Sequence, residues 1–342
     1  MSTQRTKVCF DRVLPRDLMR RQPTMYSAGG ARAISPIGKK WVNGSKLQVR
    51  FIGGTSEQKE IVKTEAFWWT NVANLTFDFN NASNAEIRIS FDETDGAWSY
   101  VGTDCQGIPL NAATMNLGFL DKGTTAHEFG HAIGLAHEHQ NPAGGIQWNE
   151  AVVIRELAKS PNFWDEETTR HNVLFKYSMD QINGTEFDPD SIMLYFFPPE
   201  WTLNGIGTKA NEVLSNIDKL FISGAKMYPK TAPTVTEATE LEVNKKRATA
   251  ASIGKFGEED LFSFIATKAG RHIIKTSGPT DLVMKLFGPN NSNLLIAEDD
   301  DSGFDFNARI AVNLNEGRYY VQVRHYNLES GKGKYSIRVD SQ

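Results

Sequence analysis

Between residues 47 and 117 the spacing of apolar positions changes from alternation to a helical period and back again. Leu47, Val49 and Phe51 alternate with polar neighbours, the period of a strand with one buried face. Thr55 and Gln58, three apart, precede Ile61, Val62, Ala66, Trp68, Trp69 and Val72, which predicts a capped helix through about Asn71. Alternation resumes at 75–79 and 87–91, with shorter strands expected at 97–101 and 114–117. Helical spacing returns at 150–159 and 166–177. A last amphipathic helix is expected at 215–227, with Ile217, Leu220, Phe221 and Ala225 on one side and Pro229 ending it. Past residue 243 the pattern becomes short strands separated by turn residues, at 261–266, 271–276, 282–287, 308–314, 319–324 and 335–339, as in a β-sandwich. The fold class expected is thus an α+β domain followed by an all-β sandwich domain.

The boundaries follow from composition. Residues 1–38 mix basic side chains with Pro15, Pro23, Gly29, Gly30 and Pro36 and hold no sustained period, as in a pro-segment or a surface-wrapping arm. Residues 39–230 form the α+β domain, 231–243 a linker rich in Thr, Ala and Glu, and 244–342 the all-β domain. At 342 residues and 40% hydrophobic, the chain can fill two cores. A formal charge of −4 argues against nucleic acid or an anionic membrane as the main partner. No apolar run approaches the ~20 residues of a membrane span. The residues from Met1 to Arg5 lack the apolar core of a secretory signal, so export by another route, a signal already removed, and action inside a cell all stay open. Two cysteines cannot build a disulfide framework.

Four of the seven histidines fall between 127 and 139, in the run His127-Glu128-Phe129-Gly130-His131-Ala132-Ile133-Gly134-Leu135-Ala136-His137. His127 and His131 stand one helical turn apart on one face. Glu128 follows the first of them, in reach of a water held at an open coordination position. Gly134 can take the positive φ that ends a helix and turns the chain back. His137 then enters from another direction as a third ligand, leaving a fourth position open, as catalytic zinc sites do. A core helix with satisfied histidines is the bland alternative, and it has no use for Glu128.

This string resembles the zinc signature of the metzincin metallopeptidases. Its continuation His137-Glu138-His139-Gln140 is most similar to the astacin branch. Ser191-Ile192-Met193-Leu194-Tyr195 is similar to the methionine turn of astacins and serralysins. The resemblance implies a twisted mixed sheet above a zinc helix, with Met193 beneath three histidine ligands. It also implies Tyr195 as an extra zinc ligand or as a hydroxyl donor to the oxyanion. The strand at 97–101 becomes the edge on which an extended substrate pairs, and Phe196-Phe197-Pro198-Pro199 becomes part of the pocket wall. The chain departs from the astacin pattern at Asn141-Pro142-Ala143-Gly144-Gly145 and in holding only Cys9 and Cys105. Serralysin calcium repeats are missing too. The run Gly317-Arg318-Tyr319-Tyr320-Val321 and the turn Glu298-Asp299-Asp300-Asp301-Ser302-Gly303 resemble bacterial pre-peptidase C-terminal domains, which accompany secreted proteases. That turn is either a calcium site or a solvated turn.

The activity this implies is zinc-dependent endopeptidase action on a protein or peptide substrate by a monomeric, secreted enzyme, with Glu128 as general base. Two other classes stay open: a non-catalytic matrix- or surface-binding protein, and a zinc amidase acting on non-protein amides. Cys9 has three readings: a thiolate occupying the open zinc position for latency, a disulfide to Cys105, or a thiol without a role. By resemblance, Asp11 is the alternative latency group.

Overall fold

In the computed structural model the described residues are 10–12, 35–36, 39–159, 162–177, 182–183, 186–194, 196–224, 226–230, 237–327 and 330–342. Two compact units emerge: one runs to Ile222 apart from Val42–Ser45, and the other comprises Val42–Ser45 with Ser223–Gln342.

The first unit carries strands β1 (Phe10–Arg12), β2 (Ser35–Pro36), β3 (Lys46–Phe51), β4 (Thr76–Asp78), β5 (Ile87–Ser90), β6 (Ala97–Tyr100), β7 (Met115–Leu117) and β8 (Ile182–Asn183). Its helices are α1 (Ser56–Thr70), α2 (Thr124–Ala132), α3 (Glu150–Leu157), α4 (Glu166–Thr169) and α5 (Asn216–Ile222). Six strands form one sheet in the order β1-β6-β7-β5-β3-β4. Neighbours run parallel except β6 and β7, which are antiparallel. β2 pairs with β8 separately.

α1 starts as its sequence dictates. Thr55 Oγ1 accepts from Gln58 N at 3.2 Å, and Gln58 Oε1 accepts from Thr55 N at 2.8 Å, a reciprocal capping box. Its buried side, Val62, Glu65, Ala66 and Trp69, faces the fold, and Trp69 Nε1 donates to Ala126 O of α2 at 2.7 Å. Leu47, Val49, Ile87, Ile89 and Met115 fill the sheet side of the core, while Phe77 meets Phe129 of α2 edge to face at 4.8 Å. A second cluster around Trp148, Val153, Leu157, Trp164, Phe197 and Trp201 supports the chain after α2.

Two helical expectations change. The helix expected over 166–177 is α-helical only at α4 and then widens into a π-helix at Arg170–Leu174, closed by Phe175 N donating to Arg170 O at 2.7 Å. The helix expected over 215–227 stops at Ile222. Ser223 and Gly224, a pair of low helix propensity, lead into a turn that buries Met227 and Tyr228 completely.

The second unit is all-β, with β9 (Thr239–Glu240), β10 (Thr249–Ile253), β11 (Glu259–Ala266), β12 (Gly270–Ser277), β13 (Leu282–Phe287), β14 (Leu295–Asp299), β15 (Arg309–Leu314), β16 (Gly317–His325) and β17 (Gly333–Ser341). They make a four-stranded sheet, β10-β17-β12-β15, and a five-stranded sheet, β14-β13-β16-β11-β9. Alternate residues of both enter one core, among them Ile274 and Ile337 from the first sheet and Phe264, Met284, Leu286 and Val321 from the second. The pattern of apolar positions did not reveal β9, β10 or β14, because their alternation is weak: β14 is half-buried throughout, and β10 is Thr-Ala-Ala-Ser-Ile.

Candidate metal centre

Every residue of α2 is buried, and its N-cap is Gly123, φ +90°, which has no side chain to cap the helix with. α1 supplies the missing group. The buried Glu65 carboxylate accepts from Gly123 N at 3.1 Å and from Ala126 N at 3.3 Å, a negative charge at the positive end of the helix. At the other end the chain turns at Gly134, φ +100°, where Leu135 N reaches back to Gly130 O at 2.9 Å. Trp41 Nε1 donates to Ala132 O at 2.8 Å, and Ser35 Oγ donates to Gly134 O at 2.7 Å, so the helix end is held from outside.

α2 directs His127 and His131 to one side, and the turn at Gly134 brings His137 to meet them. His131 Nε2 lies 3.1 Å from His127 Nε2 and 3.0 Å from His137 Nε2. His127 Nδ1 stands 2.7 Å from Ile192 O, and His131 Nδ1 2.9 Å from Leu135 O. A ring nitrogen opposite a carbonyl must carry the proton, which leaves Nε2 of each of these two rings as a bare acceptor. Burial opposes the cationic forms, lowering His127 to about 3, with the charge of His131 adding to it, and His131 to about 4. His137 is also held well below the usual range, by burial first and then by the neighbouring histidines. Acceptor nitrogens crowded in a dry site repel one another unless a cation stands between them. Ligands about 2.0–2.1 Å from a tetrahedral zinc would stand about 3.3 Å apart, close to this spacing. Among the described residues these three histidines are the group of donors that converges as metal ligands do.

Around them the second rank is equally buried. Glu128 follows His127 on α2 and is fully enclosed. Met193 lies under the helix at Gly130, where a Cβ would overlap its Sδ, and its carbonyl accepts from Glu138 N at 2.9 Å. Glu138 Oε1 accepts from Asn141 Nδ2 at 2.9 Å and from Asp188 N at 3.0 Å. Burial, seconded by the charges of Asp218 and Asp188, pushes its carboxyl up to about 8. His139 stacks on His137 at 5.1 Å and donates through Nε2 to Asn172 O at 2.9 Å, a carbonyl on the π-helical stretch.

Thus His127, Glu128, His131, His137 and Met193 come together. Tyr195 and Cys9 lie outside the described residues. Cys105 is a free, buried thiol, and burial pushes its pKa far up. In the acidic turn, Asp299 Oδ2 accepts from Ser302 N at 3.1 Å, within the turn, and from Arg309 N at 2.6 Å, at the start of β15. Sequence reasoning passed over Trp41, Glu65, Gly130 and Asp218. Gly130 was within reach, since a glycine inside a buried helix marks close packing; the other three act across long sequence separations that no local pattern reports.

A helix carrying two histidines, a glycine turn bringing in a third, a methionine turn beneath and a mixed sheet alongside define a metzincin-type fold. Residues 33–218 match the Astacin peptidase family, more than half of the chain, and the chain belongs to that family. The solved structure of myroilysin is 37% identical, with a TM-score of 0.55, covering 58% of this chain and 100% of that one. The zinc metalloproteinase dpy-31 of Caenorhabditis elegans is 29% identical over 206 residues, 56% of this chain and 32% of the relative. Blastula protease 10 of Paracentrotus lividus is 27% identical over 150 residues, 41% of this chain and 23% of the relative. The chain therefore spans about a third or less of the length of these curated relatives.

Proposed function

We propose that the chain is a zinc-dependent endopeptidase in which His127, His131 and His137 hold the metal and Glu128 is the general base. The observation that carries this reading is the convergence of three buried Nε2 atoms at 3.0–3.1 Å. Zinc bound there would supply an acidified water and polarise the scissile carbonyl. Glu128, beside the first of these histidines, would hold the proton of an attacking water and pass it to the leaving amine, a role whose loss costs roughly 10²–10⁴-fold in rate. Tyr195, two residues past Met193, is the proposed hydroxyl donor to the oxyanion. In the all-β unit Asp299 Oδ2 accepts from Ser302 N and Arg309 N, which supports the reading of the acidic turn at 298–303 as a solvated turn rather than a calcium site.

The substrate is an extended protein segment laid along β6. In the described structure the outer side of β6 is taken by β1, with Phe10 opposite Trp98 and Arg12 opposite Tyr100 in parallel register. This supports the reading of residues 1–38 as a pro-segment, in which Cys9 and Asp11 are the two candidate latency groups. The all-β unit, two sheets around one core, fits the pre-peptidase C-terminal reading and with it secretion. Among the described residues no helix is long and apolar enough to cross a membrane.

Casein digestion with chelator, and with zinc restored, tests the proposal. Cleavage that the chelator stops and zinc restores is expected, with faster cleavage by Cys9→Ala if the thiol enforces latency. A zinc-loaded protein that leaves casein and gelatin intact, after removal of the arm, overturns it in favour of a binding protein or an amidase.

A further inference from the structure

We infer that Asp218 is a positioning residue of this metal site, acting on His127 through the backbone of Ile192. The inference rests on the zinc reading above. Asp218 is 1% exposed and sits in the first turn of α5, where Ser215 is the cap. Its Oδ2 accepts from Ser215 N at 2.9 Å, and Ser215 Oγ accepts from Asp218 N at 2.8 Å, so part of its work is ordinary capping. Capping alone does not require what else it holds. Oδ2 also accepts from Ile192 N at 2.8 Å, and Oδ1 accepts from Ser191 Oγ at 2.7 Å, on a turn 26–27 residues upstream. Ser191 Oγ in turn accepts from Met193 N at 3.0 Å.

Ile192 is the link. Its N–H is anchored on Asp218, and its carbonyl faces His127 Nδ1 at 2.7 Å. One peptide segment thus joins a buried carboxylate to the tautomer and orientation of the first histidine. The capping box of α1, by contrast, uses a half-buried, neutral Gln58. A buried carboxylate is a costly choice for the same task, and only its added bonds to Ser191 and Ile192 give a reason for it. Groups that orient a metal-bound imidazole typically change metal affinity or activity by about 10–100-fold when removed.

The test uses the full chain loaded with cobalt in place of zinc, whose visible absorption reports ligand geometry. Asp218→Ala should alter the cobalt bands, release metal to a chelator about 10–100-fold faster and lower kcat with KM little changed. Asp218→Asn should lie closer to wild type than Asp218→Ala, because its amide oxygen can accept from both Ile192 N and Ser215 N, while its NH2 cannot accept from Ser191 Oγ. Ser215→Ala removes the cap acceptor of Asp218 N, together with the bond from Ser215 Oγ to Asp188 Oδ2 at 2.6 Å, and should lower the unfolding temperature while keeping the wild-type bands. If Asp218→Ala does not fold, Ser191→Ala serves, since it leaves the α5 cap in place and should move the bands the same way by less. Wild-type bands and release rate in Asp218→Ala or Ser191→Ala, or the same changes in Ser215→Ala, would overturn the inference. A wild-type chain that takes up no cobalt would overturn the metal reading itself, and this inference with it.

Discussion

Around α2 the buried residues are His127, Glu128, His131, His137, Glu138, His139, Gln140 and Asn141, none more than 6% exposed, whereas the core of the all-β unit is closed by Phe262, Phe264, Ile274, Met284, Val321 and Val339. Both regions are dry, but they are dry for different reasons. The apolar core gains from removing surface from water and needs volume and shape, so it tolerates exchange of similar side chains. The polar cluster carries a desolvation cost that named partners offset: Ile192 O for His127, Leu135 O for His131, Asp188 N for Glu138, Asn172 O for His139. Damage to the first should appear as lost stability, and damage to the second as lost metal or lost turnover.

The largest separation of the two comes from His131→Ala. Elemental analysis should show metal falling from one per chain to near none, and peptide hydrolysis should vanish with it. Full metal occupancy in that variant would break the assignment. Next in size is Phe264→Ala in the all-β core. Phe264 is completely buried and stacks on Tyr319 at 5.5 Å, so its loss should cost about 3–5 kcal/mol, read as a lower denaturant midpoint. Metal content of the folded protein should not change; if it does, the contrast between the regions is false.

A finer test concerns Asp260, which accepts from Tyr335 OH at 2.6 Å and so bridges β11 and β17, one from each sheet. Burial pushes its carboxyl up to about 6. A folded pKa above the unfolded value of about 3.9 means stability that is fully present below pH ~4 and lost as pH rises through about 6. The unfolding midpoint of wild type should therefore fall across that window relative to Asp260→Asn, whose uncharged amide removes the titration. Parallel pH curves for the two proteins would show that Asp260 is not the group responsible.

What could be read in advance divides along the same line. The α1 cap at Thr55 and Gln58, and the run from His127 to His137 with its glycine turn, are local: partners lie within a few residues, so spacing alone reports them. The shared core of the all-β unit was legible wherever alternation was strong. The supports of the centre were not legible, because Glu65 reaches Gly123, Trp41 reaches Ala132 and Asp218 reaches Ile192 only after the chain has folded. The π-helical stretch escaped for a similar reason. A continuous helical period ran through 166–177, yet Asn172 O is turned to the buried ring of His139.

Most direct of all is the turnover of Glu128→Gln beside its metal content. The amide keeps the size of the side chain and removes its basicity. One zinc per chain with peptide hydrolysis down roughly 10²–10⁴-fold is expected if this carboxylate moves the proton. A zinc-loaded Glu128→Gln protein that cleaves at the wild-type rate would contradict it.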